Sequence, residues 1–96
     1  MSTYIMLVNW TDQGIKSVKD SPARLDGARA AAKKYGCEIS EFYMTMGVND
    51  MVVIAEAPDD EAFAKFSLAM GSAGNIRTTT LKSFSEDAYR KIVAAF

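Results

Sequence analysis

Histidine is missing from this 96-residue chain, and cysteine occurs once, at Cys37. The first absence removes the commonest general base and the commonest metal ligand, so no metal is expected. The second excludes an internal disulfide framework and makes a reducing, cytoplasmic setting the expectation. No apolar run approaches the roughly 18 residues of a membrane span, and no charged-then-apolar leader precedes a cleavage site, so no membrane partner is expected. Neither charge sign dominates: 11 basic residues face 12 acidic ones, for a net charge of −1. The distribution is uneven, however. Residues 16–34 hold Lys16, Lys19, Arg24, Arg29, Lys33 and Lys34 against Asp20 and Asp26. Residues 38–61 carry Glu38, Glu41, Asp50, Glu56, Asp59, Asp60 and Glu61 without a lysine or arginine. That acidic middle would repel a polyanion, and no basic stripe with interleaved aromatics exists, so nucleic acid is not an expected partner. A hydrophobic share of 49% with 10% aromatics excludes disorder, and the length fits one domain over residues 1–96.

The elements follow from periodicity. Tyr4 to Trp10 is rich in β-formers with apolar side chains on both alternating faces, which predicts a strand buried on two sides. Thr11-Asp12-Gln13-Gly14 breaks it, and the chain is expected to stay irregular or in a short turn to Asp20. Ser21-Pro22 reads as a helix start, with serine as cap and proline at the first position. Leu25, Ala28, Ala32 and Tyr35 keep one face, and Gly36 is the left-handed stop. Residues 37–46 alternate, with Glu38, Ser40, Phe42, Met44 and Met46 on one side and Ile39, Glu41, Tyr43 and Thr45 on the other. Turn residues Gly47 to Asp50 lead into Met51 to Ala55, a second doubly apolar strand and hence an antiparallel hairpin. After Pro58, acidic residues open a helix with Ala62, Phe63, Phe66 and Met70 inward, closed by Gly71 to Gly74. Ile76 to Phe84 forms a strand, and Ser85 caps a last helix with Ala88, Tyr89, Ile92, Val93 and Phe96.

This order is the ferredoxin-like βαββαβ pattern with a C-terminal helix, an α+β fold. The doubly apolar first and third strands belong in the middle, which gives sheet order 2-3-1-4. Two crossover helices cover only one face. The other must be covered by the terminal helix, a second subunit or an apolar ligand.

Three stretches carry a resemblance over essentially the whole chain: Asn9 to Gly14, Ala57 to Ala62, and Gly71 to Thr78. They resemble the GYD-domain family, small bacterial proteins of the dimeric α/β-barrel type. The naming motif is similar to Gly47–Asp50, with Asn49 where the family has tyrosine, so no role needing that phenol is carried over. The resemblance implies a homodimer or higher oligomer. Its structural relatives include cofactor-independent monooxygenases, haem-degrading enzymes and small-molecule isomerases. Haem ligation through histidine is impossible here, and no cofactor is expected.

Several residues are candidates for chemistry. Asp50, at the hairpin exit, is the best candidate for a general base if buried in a cleft, or else a simple turn former. Trp10 and Gln13, at the end of the first strand, can stack on and orient a planar ligand, or anchor the rim. Arg77 can hold an anion or pair with Asp50 or Glu56. Tyr43 can donate a hydrogen bond in a cavity or merely pack. Phe42, Met44 and Met46 suit an apolar cavity lining. Gly71 to Asn75 superficially resembles a phosphate cradle, but it leaves a helix carboxyl end rather than entering an amino end. Cys37 follows a helix-ending glycine rather than opening a helix, and Lys33 and Lys34 are the only cations near it in sequence, so a reactive thiol is not expected. Two classes of function remain: a homo-oligomeric binding or structural module for a small molecule, and a cofactor-independent enzyme on a small apolar or aromatic substrate. If a ligand site exists, Trp10, Tyr43, Asp50 and Arg77 are expected to share one cavity, and in the enzyme Asp50 would do the acid–base work with the other three as positioning groups.

Overall fold

Alternation decides which side of each strand meets the helices. The computed structural model describes residues 1–96. Strands β1 (Ser2–Trp10), β2 (Glu38–Met44), β3 (Met51–Ala57) and β4 (Ile76–Ser83) form one antiparallel sheet in the order 2-3-1-4. Helices α2 (Ser21–Lys34) and α3 (Asp60–Ser72) are the two crossovers, and α4 (Glu86–Ala95) follows β4. The fold is the ferredoxin-like α+β arrangement expected from the sequence. Tyr4, Met6 and Val8 of β1 and Met51, Val53, Ala55 and Ala57 of β3 point to the helices and are buried. They enclose Ala32 of α2 and Phe63 and Phe66 of α3 in one core. Tyr4 stacks on Phe63 with centroids 4.4 Å apart, and Phe63 meets Phe66 edge-on at 5.9 Å.

Three local expectations are corrected. Residues 12–16 are not irregular: they form a short helix, α1 (Asp12–Lys16), because Thr11 caps it by accepting a hydrogen bond from Gly14 N. Ser21 does not cap α2. A 3-10 turn at Val18–Asp20 runs straight into the helix, and Asp20 takes the cap position without a side-chain bond. In β2 a bulge between Ile39 and Glu41 shifts the register. Ser40 becomes the extra residue, its hydroxyl donating to Ile54 O at 3.0 Å. Ile39 and Phe42 therefore share the helix side, which simple alternation places on opposite faces.

The second face of the sheet presents Ile5 and Leu7 of β1, Val52 and Ile54 of β3, and Leu81 of β4, by the strand register. The first four are only half-buried, and Leu81 is exposed. Helix α4 barely touches the rest of the fold and leaves Tyr89, Ile92, Val93 and Phe96 exposed. The molecule is correspondingly extended. Its radius of gyration is 14.3 Å, against about 12.5 Å for a compact chain of this length.

Candidate functional site

At the carboxyl end of β1 the sheet and α2 diverge. Between them lies a cavity of about 310 Å³, its walls overwhelmingly apolar. Its floor is Met6, Val8 and Trp10 of β1 with Met51 and Val53 of β3. Leu25 and Ala28 of α2 form one wall, and Phe66 and Met70 of α3 form the other. The polar groups that reach it, Ser21, Arg24 and Asn75, belong to the start of α2 and the loop before β4. As a sealed dry void the cavity would cost about 24 cal/mol per Å³, or about 7 kcal/mol, comparable to the whole stability of a small domain. It is partly open rather than sealed, so that full cost does not apply. Its size falls at the lower end of the range of about 300–1,000 Å³ seen for small-molecule sites.

A latch frames this end of the molecule. Thr11 N donates to Asn75 O at 3.0 Å, and the Thr11 hydroxyl donates to Gly74 O at 2.6 Å. Gln13 Nε2 donates to Asn75 Oδ1 at 3.0 Å. Gly14 packs so closely that a Cβ there would lie 2.0 Å from Asn75 O. Gly74 holds the loop in the left-handed region, at φ 87°. Arg24 closes the other side: its guanidinium donates to Ser17 O and to Gly14 O, each at 3.1 Å. No carboxylate lies within ion-pair distance of Arg24.

Of the residues singled out in the sequence as site candidates, Trp10 and Phe42 line the cavity, as do Ala73 and Asn75 of the Gly71 to Asn75 stretch; Gln13 does not. Asp50 is not a cleft residue. Its carboxylate accepts from Trp10 N at 3.0 Å, and its own N–H is shared between Val8 O and Asn9 Oδ1. It fastens the hairpin to the end of β1. Tyr43 pairs with Val52, and Arg77 with Asn9, on the opposite face of the sheet. The four residues therefore share no cavity, because strand alternation sends Trp10 one way and Tyr43 and Arg77 the other. Arg77 pairs with neither Asp50 nor Glu56; Glu56 instead accepts from the Thr3 hydroxyl at 2.9 Å. Met44 and Met46 are exposed, at 69% and 95%, and do not line this cavity. The fold brings together no three His, Cys, Asp or Glu side chains able to hold a metal ion.

Titration is perturbed away from the cavity. Burial beside Phe63, with the hydrogen bond to Asp60 and that carboxylate's charge, pushes the Tyr4 phenol up to about 12. The same bond, with Lys82 Nζ 3.0 Å away, holds Asp60 below the ordinary carboxylate range. The bond to Glu41 raises the Tyr43 phenol. Burial raises the Cys37 thiol.

Sequence reasoning missed Arg24, Leu25 and Asn75 as wall residues. The available signal was spacing: Arg24 stands one helical turn before Ala28, on the stripe that Ala28 and Ala32 turn toward the sheet.

The fold and the latched cavity define a small ferredoxin-like α+β protein with an apolar cavity between sheet and helices. More narrowly, the chain belongs to the GYD domain family, whose model matches residues 4–93. It is 29% identical over 84 residues to the "Glutamine synthetase and cystathionine beta-lyase binding protein" of Thermus thermophilus, covering 86% of this chain and 88% of that protein. A solved Thermus thermophilus structure is similar at TM-score 0.57 and 21% identity, with 88% and 95% of the two chains covered. MtbAldR is similar at TM-score 0.68 and 15% identity. The feast or famine regulatory protein of M. tuberculosis, solved with L-methionine, is similar at 0.65 and 19%. The matches to these last two take in 88% and 91% of this chain but only 52% and 54% of theirs, so this chain corresponds to about half their length.

Proposed function

We propose that this protein is a self-associating binding module, with a protein-binding sheet face and a separate small-molecule cavity under α2. The observation that carries it is the sheet face of Ile5, Leu7, Val52, Ile54 and Leu81, which neither crossover helix covers and which α4 barely approaches. Each large apolar side chain gains about 1.5–3 kcal/mol on full burial, so covering this row is worth a large part of a small domain's stability. A second copy supplies a matching surface under two-fold symmetry and completes a dimeric α/β barrel. Charge suits it: Glu38 and Glu41 lie at the β2 edge of this face and Arg77 at the β4 edge. A face-to-face pair sets the acidic edge of one copy over the basic edge of the other. The name of the Thermus relative supports a module that takes other proteins as partners, and glutamine synthetase and cystathionine beta-lyase are the first to test. One domain over residues 1–96 and a reducing cytoplasmic setting, congenial to a lone buried thiol, complete the reading. Acid–base chemistry through Asp50 is not proposed, since its carboxylate is held by Trp10 N.

Sedimentation equilibrium at micromolar concentration is the test. A dimer or larger assembly is expected, with a melting temperature that falls on dilution. A well-folded monomer whose melting temperature ignores dilution overturns the self-association.

A further inference from the structure

The geometry points to a ligand class for the cavity under α2: a small molecule with an aromatic or apolar body and a single carboxylate, the carboxylate received by Arg24. This rests on the cavity being a ligand site, as proposed above, and goes further in naming what the site selects. Three features of the cavity argue for it. The deep walls, Met6, Val8, Met51, Val53, Phe66 and Met70, offer no polar partner, so the body of the ligand must be apolar. Three of those six are methionines, and Trp10 shares the floor; thioethers and an indole favour a flat aromatic ring. At the polar end the one charge is a cation. Arg24 is half-buried and without a carboxylate partner, and its contacts to Ser17 and Gly14 are to neutral oxygens. An uncompensated guanidinium beside apolar walls favours an anion, and its remaining N–H donors are available to receive one. Ser21 and Asn75 stand at the same end as further hydrogen-bonding groups. The start of α2 adds the positive end of a helix that no side chain caps.

The same latch sets the polar end. Arg24 is oriented by carbonyls of the segment that Thr11 and Gln13 tie to Gly74 and Asn75. An anion bound there joins α2 to that segment through one side chain.

The chain has one tryptophan, and it lies in the cavity floor, so its fluorescence reports occupancy directly. The test compares 4-phenylbutyrate with 4-phenylbutanol, which share a body and differ in the head group. Saturable change in Trp10 emission is expected with both, and the carboxylate should bind at least tenfold more tightly at neutral pH. Arg24→Gln should remove that preference, bringing the two probes to equal affinity, and Arg24→Lys should restore part of it. Ala28→Leu, which fills the cavity, should abolish both responses; circular dichroism checks that each variant is folded. Equal affinity of the wild-type protein for the two probes overturns the carboxylate assignment and leaves the cavity reading standing. No saturable response to either probe overturns both. The wild-type comparison decides even where a variant fails to fold.

Discussion

Tyr4 shows what a single side chain can make of its surroundings. Its ring fills the core against Phe63, and its hydroxyl emerges only as far as the Asp60 carboxylate. Because the folded phenol titrates at about 12 rather than 10.0, the folded state retains a proton that the unfolded state loses between those values. Its contribution is thus fully present below about pH 10 and is lost as pH rises toward about 12. Asp60 works in the other direction: held low by Tyr4 and Lys82, it stabilises above the ordinary carboxylate pKa and loses that contribution as pH falls through its lowered one. Tyr4→Phe should cost about 1 kcal/mol at neutral pH and blunt both limbs, as read by urea denaturation at pH 3, 7 and 11.5. Gly14→Ala drives a methyl into Asn75 O, and loss of about 1–3 kcal/mol is expected in the same assay. Cys37, 3% exposed and with its thiol raised by burial, should react with a thiol-directed disulfide reagent only as fast as the protein opens. A rapid native reaction would refute its burial.

Elements differ in how openly the sequence announces them. The two doubly apolar strands and the stops at Gly36 and Gly74 are readable, and with them the sheet order, because apolar side chains on both faces mark a central strand. The bulge in β2 was not. Ser40 carries no glycine signal, and its extra residue is set by the fit of Ile39 and Phe42 against the helices, a tertiary demand. Helix α1 was missed for a similar reason: five residues cannot hold a helix alone, and α1 depends on Thr11 and the distant Asn75. The site suffered most, since whether Trp10, Tyr43 and Arg77 meet depends on strand parity across three pairings. Helix α4 was legible as an amphipathic stripe but not as an unpartnered one. Amide hydrogen exchange should find α4 exchanging fastest of the helices in dilute protein, and slowing as concentration rises if its stripe of Ile92, Val93 and Phe96 joins the subunit contact. Concentration-independent exchange would remove α4 from that contact.

At the scale of the whole molecule, one sheet separates an apolar cavity from an open apolar face. Side chains of β1 alternate between them: Met6 and Val8 floor the cavity, while Ile5 and Leu7 belong to the open face. Substitutions can therefore divide the two. Leu7→Glu should give a folded monomer by sedimentation equilibrium that still answers 4-phenylbutyrate through Trp10, because its side chain lies on the far side from the floor. Loss of both together would show that subunit contact and cavity are coupled.

The sheet order also dictates a calendar for folding. β1 pairs with β3 and β4, and β2 pairs with β3 alone, so no two strands can join before residues 51–57 have left the ribosome. Everything synthesised earlier waits, with the apolar β1 exposed to other nascent chains. The β2–β3 hairpin is the first pairing within reach, and β1 must then return across the α2 crossover to dock beside it, a long loop closure that costs entropy before any contact rewards it. Weakening β3, at Val53 for instance, should slow refolding, whereas weakening β4 should chiefly hasten unfolding. In a cell, a ribosome that stalls before Met51 leaves a chain that has two strands and nothing to pair them with.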